Sequence, residues 1–212
     1  TTMSAEAQEW SCTNCIADLS AGGDHTCAIR QDGSATCWGR DIYGQATPPD
    51  LNPDMYTFLE IASGDDHTCA RVQCTPPSGG FCPIGNIRCW GDDDFDQASP
   101  GFGAVYDEID AGVIHTCGLT ATNDIECWGH DGFDQVTVPE PPNGWQFTGV
   151  AAGGFHTCAL TGCISPPCIA TANVRCWGAN GSGQTDVPVS FPAHMFTLIS
   201  AGEYHTCGVK TD

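Results

Sequence analysis

Apolar and polar residues alternate in short runs along this chain, and the runs are broken by Gly, Asp-Gly, Asn and Pro-Pro. A period of two with frequent turn residues predicts β-strands, and no 3.6-residue periodicity persists for three helical turns. The run Ala28-Ile29-Arg30, then Gln31-Asp32-Gly33, then Ser34-Ala35-Thr36 reads as a hairpin around a tight turn. The 26 glycines and 14 prolines fit many short strands better than helices.

These runs recur as larger units. LSAGGDHTCAI from Leu19, IASGDDHTCAR from Ile61, IDAGVIHTCGL from Ile109, VAAGGFHTCAL from Val150 and ISAGEYHTCGV from Ile199 are versions of one segment. Four are followed by a second signature: ATCWGRDIYGQ, IRCWGDDDFDQ, IECWGHDGFDQ and VRCWGANGSGQ. The shared histidines fall at His25, His67, His115, His156 and His205, which sets a period of 41 to 49 residues. That is the size of one four-stranded propeller blade. A single small sheet cannot bury both faces, so neighbouring repeats must stack. The expected fold is an all-β propeller of four complete repeats and one split repeat, five blades in a single domain over 1–212.

Fifteen cysteines point to an oxidising compartment. Cys27/Cys37 and Cys117/Cys127 lie ten residues apart and flank their predicted turns symmetrically. Opposed residues of an antiparallel pair come close enough for a disulfide. Cys69/Cys89 and Cys158/Cys176 are spaced more widely, and the pairs Cys74/Cys82 and Cys163/Cys168 nest inside them about nearly the same midpoints. Six bridges are therefore expected, with the cysteines structural. Cys12/Cys15 is the one CxxC pair, and no second half completes a zinc site.

The pair AG-x-x-HTCAL and CWG-x-x-x-x-GQ resembles the regulator of chromosome condensation repeat in its short, bacterial secreted-type form. The resemblance implies a propeller whose repeats run on from blade to blade. The family's nuclear member acts as an exchange factor and binds nucleosomes. Those activities are not implied for an acidic, cysteine-rich chain with fewer repeats and no basic tail.

Two half-repeats remain, the C-terminal ISAGEYHTCGVKTD and the N-terminal QEWSCTNC. Residues 1–15, which offer Trp10 and Cys12, are expected either to complete the last blade or to pair with a neighbouring chain. In the first case Cys207 bridges to Cys12 or Cys15 within a closed ring. In the second, head-to-tail joining makes a fibre.

Twenty-six acidic against six basic residues give a net charge of −20. Such a surface repels phosphate backbones and anionic lipid, which excludes nucleic acid as a partner class. No run approaches the roughly 18 apolar residues of a membrane helix, so membrane insertion is not expected. The N-terminus lacks the basic and apolar regions of a signal peptide and reads as a mature secreted or cell-surface chain.

The recurring histidines each precede a structural cysteine by two residues and share its face of the strand, so they are expected to link blades rather than bind metal. Trp38, Trp90, Trp128 and Trp177 are expected to pack between blades. Trp145 breaks the pattern in EPPNGWQF, as either a recognition residue or an edge-strand packing residue. His130 and His194 do not recur and are expected at the surface. Asp92, Asp93, Asp94 and Asp96 cluster on one turn and are the candidate calcium ligands, since calcium takes six to eight oxygens. Asn180-Gly181-Ser182 is the one glycosylation sequon.

No catalytic motif or nucleophile constellation is present, and no cofactor is required. The expected function is a non-catalytic extracellular or cell-surface scaffold that binds other proteins or itself. The alternative is a calcium-dependent or glycan-binding propeller, and a hydrolase at the central mouth ranks below both.

Overall fold

A computed structural model describes residues 15–75, 86–101, 103–164, 173–188 and 195–211. The alternating runs become strands, and no helix occurs among the described residues. The first repeat forms β1 (Ile16–Ala21), β2 (His25–Arg30) and β3 (Ala35–Gly39). The second forms β4 (Tyr56–Ser63), β5 (His67–Cys74) and β6 (Ile87–Gly91). The third forms β7 (Tyr106–Ala111), β8 (His115–Thr120) and β9 (Ile125–Gly129). The fourth forms β10 (Trp145–Ala152), β11 (His156–Cys163) and β12 (Val174–Gly178). The fifth contributes β13 (Phe196–Ala201) and β14 (Thr206–Lys210).

Each repeat is its own antiparallel sheet, with its strands in sequence order. The first strand of each sheet packs on the first strand of the next, from β1 through β4, β7 and β10 to β13. The chain is thus a propeller of five blades. Its described blades have three strands or, in the fifth, two, rather than the four expected. The stretch between β3 and β4 contains Pro48, Pro49 and Pro53, and proline cannot donate to a ladder, so this segment runs as turns.

Register carries the cysteines. Cys27 lies opposite Cys37, Cys69 opposite Cys89, Cys117 opposite Cys127 and Cys158 opposite Cys176. All four pairs are disulfide-bonded. Cys74 and Cys163 are also bridged; Cys82 and Cys168 lie outside the described residues.

Every first strand has a register shift at one place, as between Phe58 and Glu60 or Tyr106 and Glu108. A bulge there adds local twist, which suits strands that splay around an axis. The glycine closing each CWG has φ between 99° and 110°. At Gly39 a Cβ would also press on the Asp24 carbonyl, so the position needs glycine twice over.

The core lies between the blades rather than within one sheet. Cys27 and Ile29 pack on Phe58, Ile61, Ala70 and Val72 of the next blade. Ala62, Cys69 and Ile87 meet Tyr106, Ile109 and Trp128. Cys117, Leu119 and Ile125 meet Phe147, Val150 and Ala159.

Candidate functional site

Each seam between blades carries the same polar chain. His25 Nε2 lies 2.7 Å from Thr68 Oγ1 of the next blade, and His67 Nε2 lies 2.8 Å from Thr116 Oγ1. His115 reaches Thr157 at 3.0 Å and His156 reaches Thr206 at 2.8 Å. Every one of these hydroxyls donates to a glutamine carbonyl of the preceding blade: Gln45, Gln97, Gln135 and Gln184 in turn. A hydroxyl has one proton, so the histidine must donate from Nε2 and its Nδ1 is the bare nitrogen. That Nδ1 has no hydrogen-bond partner in any of the four. Burial holds all four imidazoles below the usual histidine range, to about 4 for His67 and about 3 for His115. They are neutral linkers.

The same glutamine carbonyls receive the CWG indoles. Trp90 Nε1 donates to Gln45 O, Trp128 to Gln97 O and Trp177 to Gln135 O, each at 2.9 Å. Gln45, Gln97 and Gln135 are fully buried or nearly so. The sequence held a signal for the glutamine and threonine roles, since both recur in GQ and HTC, but reading one repeat at a time misses partners a blade away.

The repeat's ends lack these contacts. His205 is exposed beyond the last seam, and Trp38 is 52% exposed before the first. His130 is half-buried: its Nδ1 accepts from Gly132 N, and its ring meets Phe95 edge-on. His194 lies outside the described residues. Trp145 is buried, opening β10 opposite Cys163, which fits the packing reading.

Cys207 corrects an expectation. It is free and exposed, bridged to neither Cys12 nor Cys15. In the other repeats the partner cysteine sits on a third strand, and β14 is the last described strand of its sheet. Cys15 is bridged elsewhere, and Cys12 lies outside the described residues, as does the rest of the segment expected to complete the blade.

The acidic turn also departs from the calcium reading. Asp93 accepts from Ala98 N at 2.7 Å and Ser99 Oγ at 2.6 Å. Asp41 and Asp131 make the same two bonds in their loops, and Asn180 accepts from Thr185 N. Asp92 accepts from Gln97 Nε2, Asp94 is exposed, and Asp96 occupies the left-handed position that Gly44 and Gly183 fill elsewhere. These residues build the turn, and among the described residues no three His, Cys, Asp or Glu side chains converge on a metal-sized site. Asn180 Nδ2, the sequon nitrogen, donates to Asp186.

A second set of links joins the inner strands. Asp18 accepts from Ile61 N and Asp110 from Ala152 N, both at 2.8 Å across a seam. Burial, with Glu108 and Glu60 nearby, pushes the Asp110 carboxyl up to about 7. Above these strands the AG-x-x turns of all five blades line one cavity of about 240 Å³, walled mainly by glycine and alanine. Gly23 N donates to Gly64 O and Gly154 N to Gly202 O around it. The cavity presents backbone and small side chains, with Asp65 and Glu203 as its charged lining.

Residues 16–45 match the regulator of chromosome condensation (RCC1) repeat. The ectodomain of the Physcomitrella patens receptor kinase CR4 is 27% identical with a TM-score of 0.69, over 92% of this chain and 49% of that one. The ectodomain of the Arabidopsis thaliana receptor kinase ACR4 is 25% identical with a TM-score of 0.64, over 93% and 68%. Prp20p of Saccharomyces cerevisiae shares the fold at 19% identity and a TM-score of 0.65, over 95% and 57%. This chain thus spans about half the length of the moss ectodomain. It is a β-propeller whose first repeat matches the regulator of chromosome condensation repeat and whose fold is similar to that of propellers built from such repeats.

Proposed function

We propose that this chain is a non-catalytic extracellular scaffold that binds proteins. The observation that carries this reading is the fate of the repeating polar groups. The seam His, Thr, Gln and Trp residues bond to one another and hold blades in place, so the recurring chemistry is frame rather than catalyst. The exposed turns after CWG carry Tyr43, Phe95 and Phe133 at one repeat position among carboxylates, with Ser182 in the fourth repeat. Exposed aromatics with a polar surround are the usual anchors of protein interfaces. Dense disulfides favour an oxidising compartment, and the likeness to two receptor-kinase ectodomains supports the same reading.

A finer reading, head-to-tail self-association, is favoured by the two ends. The first blade exposes Ile16, Leu19 and Trp38, and the last exposes Leu198, His205 and Val209. These are the two halves of one seam.

Sedimentation of the unreduced protein over a concentration series, with negative-stain microscopy, tests the finer reading. Growth into regular fibres supports it, and a monomer at every concentration removes it. Saturable binding to intact producing cells that is lost on reduction supports the scaffold. Turnover of ester, glycoside, phosphate or peptide substrates that copurifies with the chain overturns it.

A further inference from the structure

One end of the sheets presents a band of exposed rings. His25 pairs with Gly39, His67 with Gly91 and His115 with Gly129, so the AG-x-x turns and the loops after CWG emerge together. Tyr43, Phe95 and Phe133 hold the same place in three successive loops, each about half exposed. Two of them lean across the next seam. Phe95 meets His130 at 5.1 Å between ring centres, and Phe133 meets Phe155 at 5.6 Å. The rings thus run from blade to blade, and a contiguous exposed apolar band of this kind marks an interaction surface.

Charge decides what the band can hold. Residues 22–24, 40–45, 64–66, 92–97, 112–114 and 130–135 contain ten aspartates, and Arg40 is their one lysine or arginine. Asp93 and Asp131 are used by their own turns. Asp94, Asp96 and Asp134 flank Phe95 and Phe133, are exposed, and accept no side-chain hydrogen bond or ion pair among the described residues. A neutral apolar partner would desolvate these carboxylates without replacing their water. A cationic partner pairs them.

The first blade shows how a cation sits on such a loop. Arg40 Cζ lies 5.9 Å from the centre of the Tyr43 ring, and Nη1 lies 3.2 Å from Asp66 and 3.6 Å from Asp24. A ring beneath and carboxylates beside it suit a planar guanidinium. The next two loops place Asp92 and His130 where the first has Arg40. Phe95 and Phe133 therefore keep the ring and the carboxylates without an arginine of their own.

We infer that this face binds an extended, arginine-rich segment of a partner protein, with guanidinium groups over Phe95 and Phe133 and paired to Asp94, Asp96 and Asp134. The inference rests on the scaffold reading above and gives the scaffold's partner its chemistry.

The test uses the unreduced protein and a fluorescein-labelled octaarginine peptide, with binding read by fluorescence anisotropy. Saturable binding in about 50 mM salt should weaken about tenfold or more in about 300 mM. Octalysine carries the same charge and should bind several-fold more weakly, because an ammonium does not lie flat on a ring. Phe95→Ala with Phe133→Ala should raise the Kd about tenfold, and so should Asp94→Asn with Asp134→Asn. Asp54→Asn with Asp107→Asn removes equal charge from the opposite end of the sheets, where Tyr56 pairs with Cys74 and Tyr106 with Thr120. That pair should change the Kd by less than about twofold. All six positions are exposed, so the variants should melt close to the unaltered chain.

Equal affinity for the two peptides, or equal losses from the two aspartate pairs, would mean that net charge alone attracts the peptide and would overturn the inference. So would an unchanged Kd after Phe95→Ala with Phe133→Ala. Displacement of octaarginine by cellohexaose would make the rings a glycan platform and overturn it as well. Binding to intact producing cells separates the two readings. If the phenylalanine variant binds cells as well as the unaltered chain does, the scaffold stands and this face is not its site. If octaarginine seats as described but the unaltered chain binds no cells, the face stands and the scaffold reading fails.

Discussion

His115 Nε2 donates to Thr157 Oγ1 across 3.0 Å, from the second strand of one blade to the second strand of the next. Because the threonine proton goes on to Gln135 O, the bond needs a proton on His115 Nε2, and burial keeps the ring neutral in that tautomer. Replacing Thr157 leaves His115 Nε2 buried without an acceptor, whereas replacing His115 leaves Thr157 its bond to Gln135 O. Thr157→Val should cost about 1–3 kcal/mol, the penalty for an unmatched buried polar group. His115→Phe also has to fit a larger ring. A double-mutant cycle by urea unfolding should give a coupling of about 1 kcal/mol between the two. Additive losses would mean that the bond contributes nothing to stability.

The buried imidazoles set an acid limit. His67 and His115 are held to about 4 and about 3 in the folded chain, against about 6.5 when unfolded. Below pH 6.5 the unfolded chain binds protons that the folded chain refuses, so stability falls as pH drops toward 4. Each contributes on the order of 3 kcal/mol across that window. Asp110 runs the other way. Its carboxyl is raised to about 7, so its contribution is largest below the unfolded value near 3.8 and is lost as pH rises through 7. Between pH 4 and 6.5 the two oppose each other. Asp110→Asn should therefore steepen the acid loss and raise stability at pH 8. Denaturant midpoints measured from pH 4 to 8 would show both changes, and parallel profiles for the two proteins would refute the assignment.

The disulfides differ in how they were legible. Cys27 and Cys37 flank a tight turn, so their register follows from counting, and the repeat period made the architecture readable from the histidines alone. The partners of Thr68 or Gln97 lie a blade away, and a period says which residues recur without saying which neighbour each faces. Pro48, Pro49 and Pro53 stand where a fourth strand would run and cannot donate to a ladder, which the repeat period alone does not convey. The period gives Cys207 a bridge only if the N-terminal segment closes the ring, and the thiol is free. The charge of a single loop makes Asp93 a candidate cation ligand. Aligned with Asp41, Asp131 and Asn180, it is the residue that ties the turn to its own backbone.

The short bridge gives a direct measure of that stapling. Closing ten residues between Cys27 and Cys37 should contribute about 2.7 kcal/mol by the loop-entropy relation, and closing twenty between Cys69 and Cys89 about 3.3. The double replacement Cys27→Ser with Cys37→Ser should lower stability by an amount of that order. A loss several-fold larger would mean that the sulfurs matter mainly through their packing at the seam with Phe58 and Ile61.

Asp96 and Asp134 adopt φ of 61° where two other repeats place Gly44 and Gly183. Left-handed backbone disfavours a side chain, although aspartate tolerates it better than most residues. Asp96→Gly and Asp134→Gly should each be neutral or stabilising by up to about 1 kcal/mol, despite glycine's greater freedom when unfolded. Asp93→Ala in the same loop should instead destabilise by about 1 kcal/mol, because it removes two turn bonds. Thermal melts of the three variants would separate conformation from charge. If losing any of these carboxylates stabilised equally, simple charge repulsion would be the cause.

The ends of the propeller make the same residue types unequal. Trp128 is buried against Tyr106 and bonds to Gln97 O, whereas Trp38 is 52% exposed. Trp128→Ala should therefore cost about 3–5 kcal/mol, as for other buried aromatics, and Trp38→Ala under about 1. His205→Ala should be nearly silent in the isolated chain, since among the described residues no threonine of a following blade receives it. In a head-to-tail assembly both positions become seam residues. Trp38→Ala and His205→Ala would then leave the monomer's melting temperature unchanged while abolishing association. If Trp38→Ala were as costly in the monomer as Trp128→Ala, the first and last blades would already be packed together within one chain. The end faces would then not be available to a neighbour.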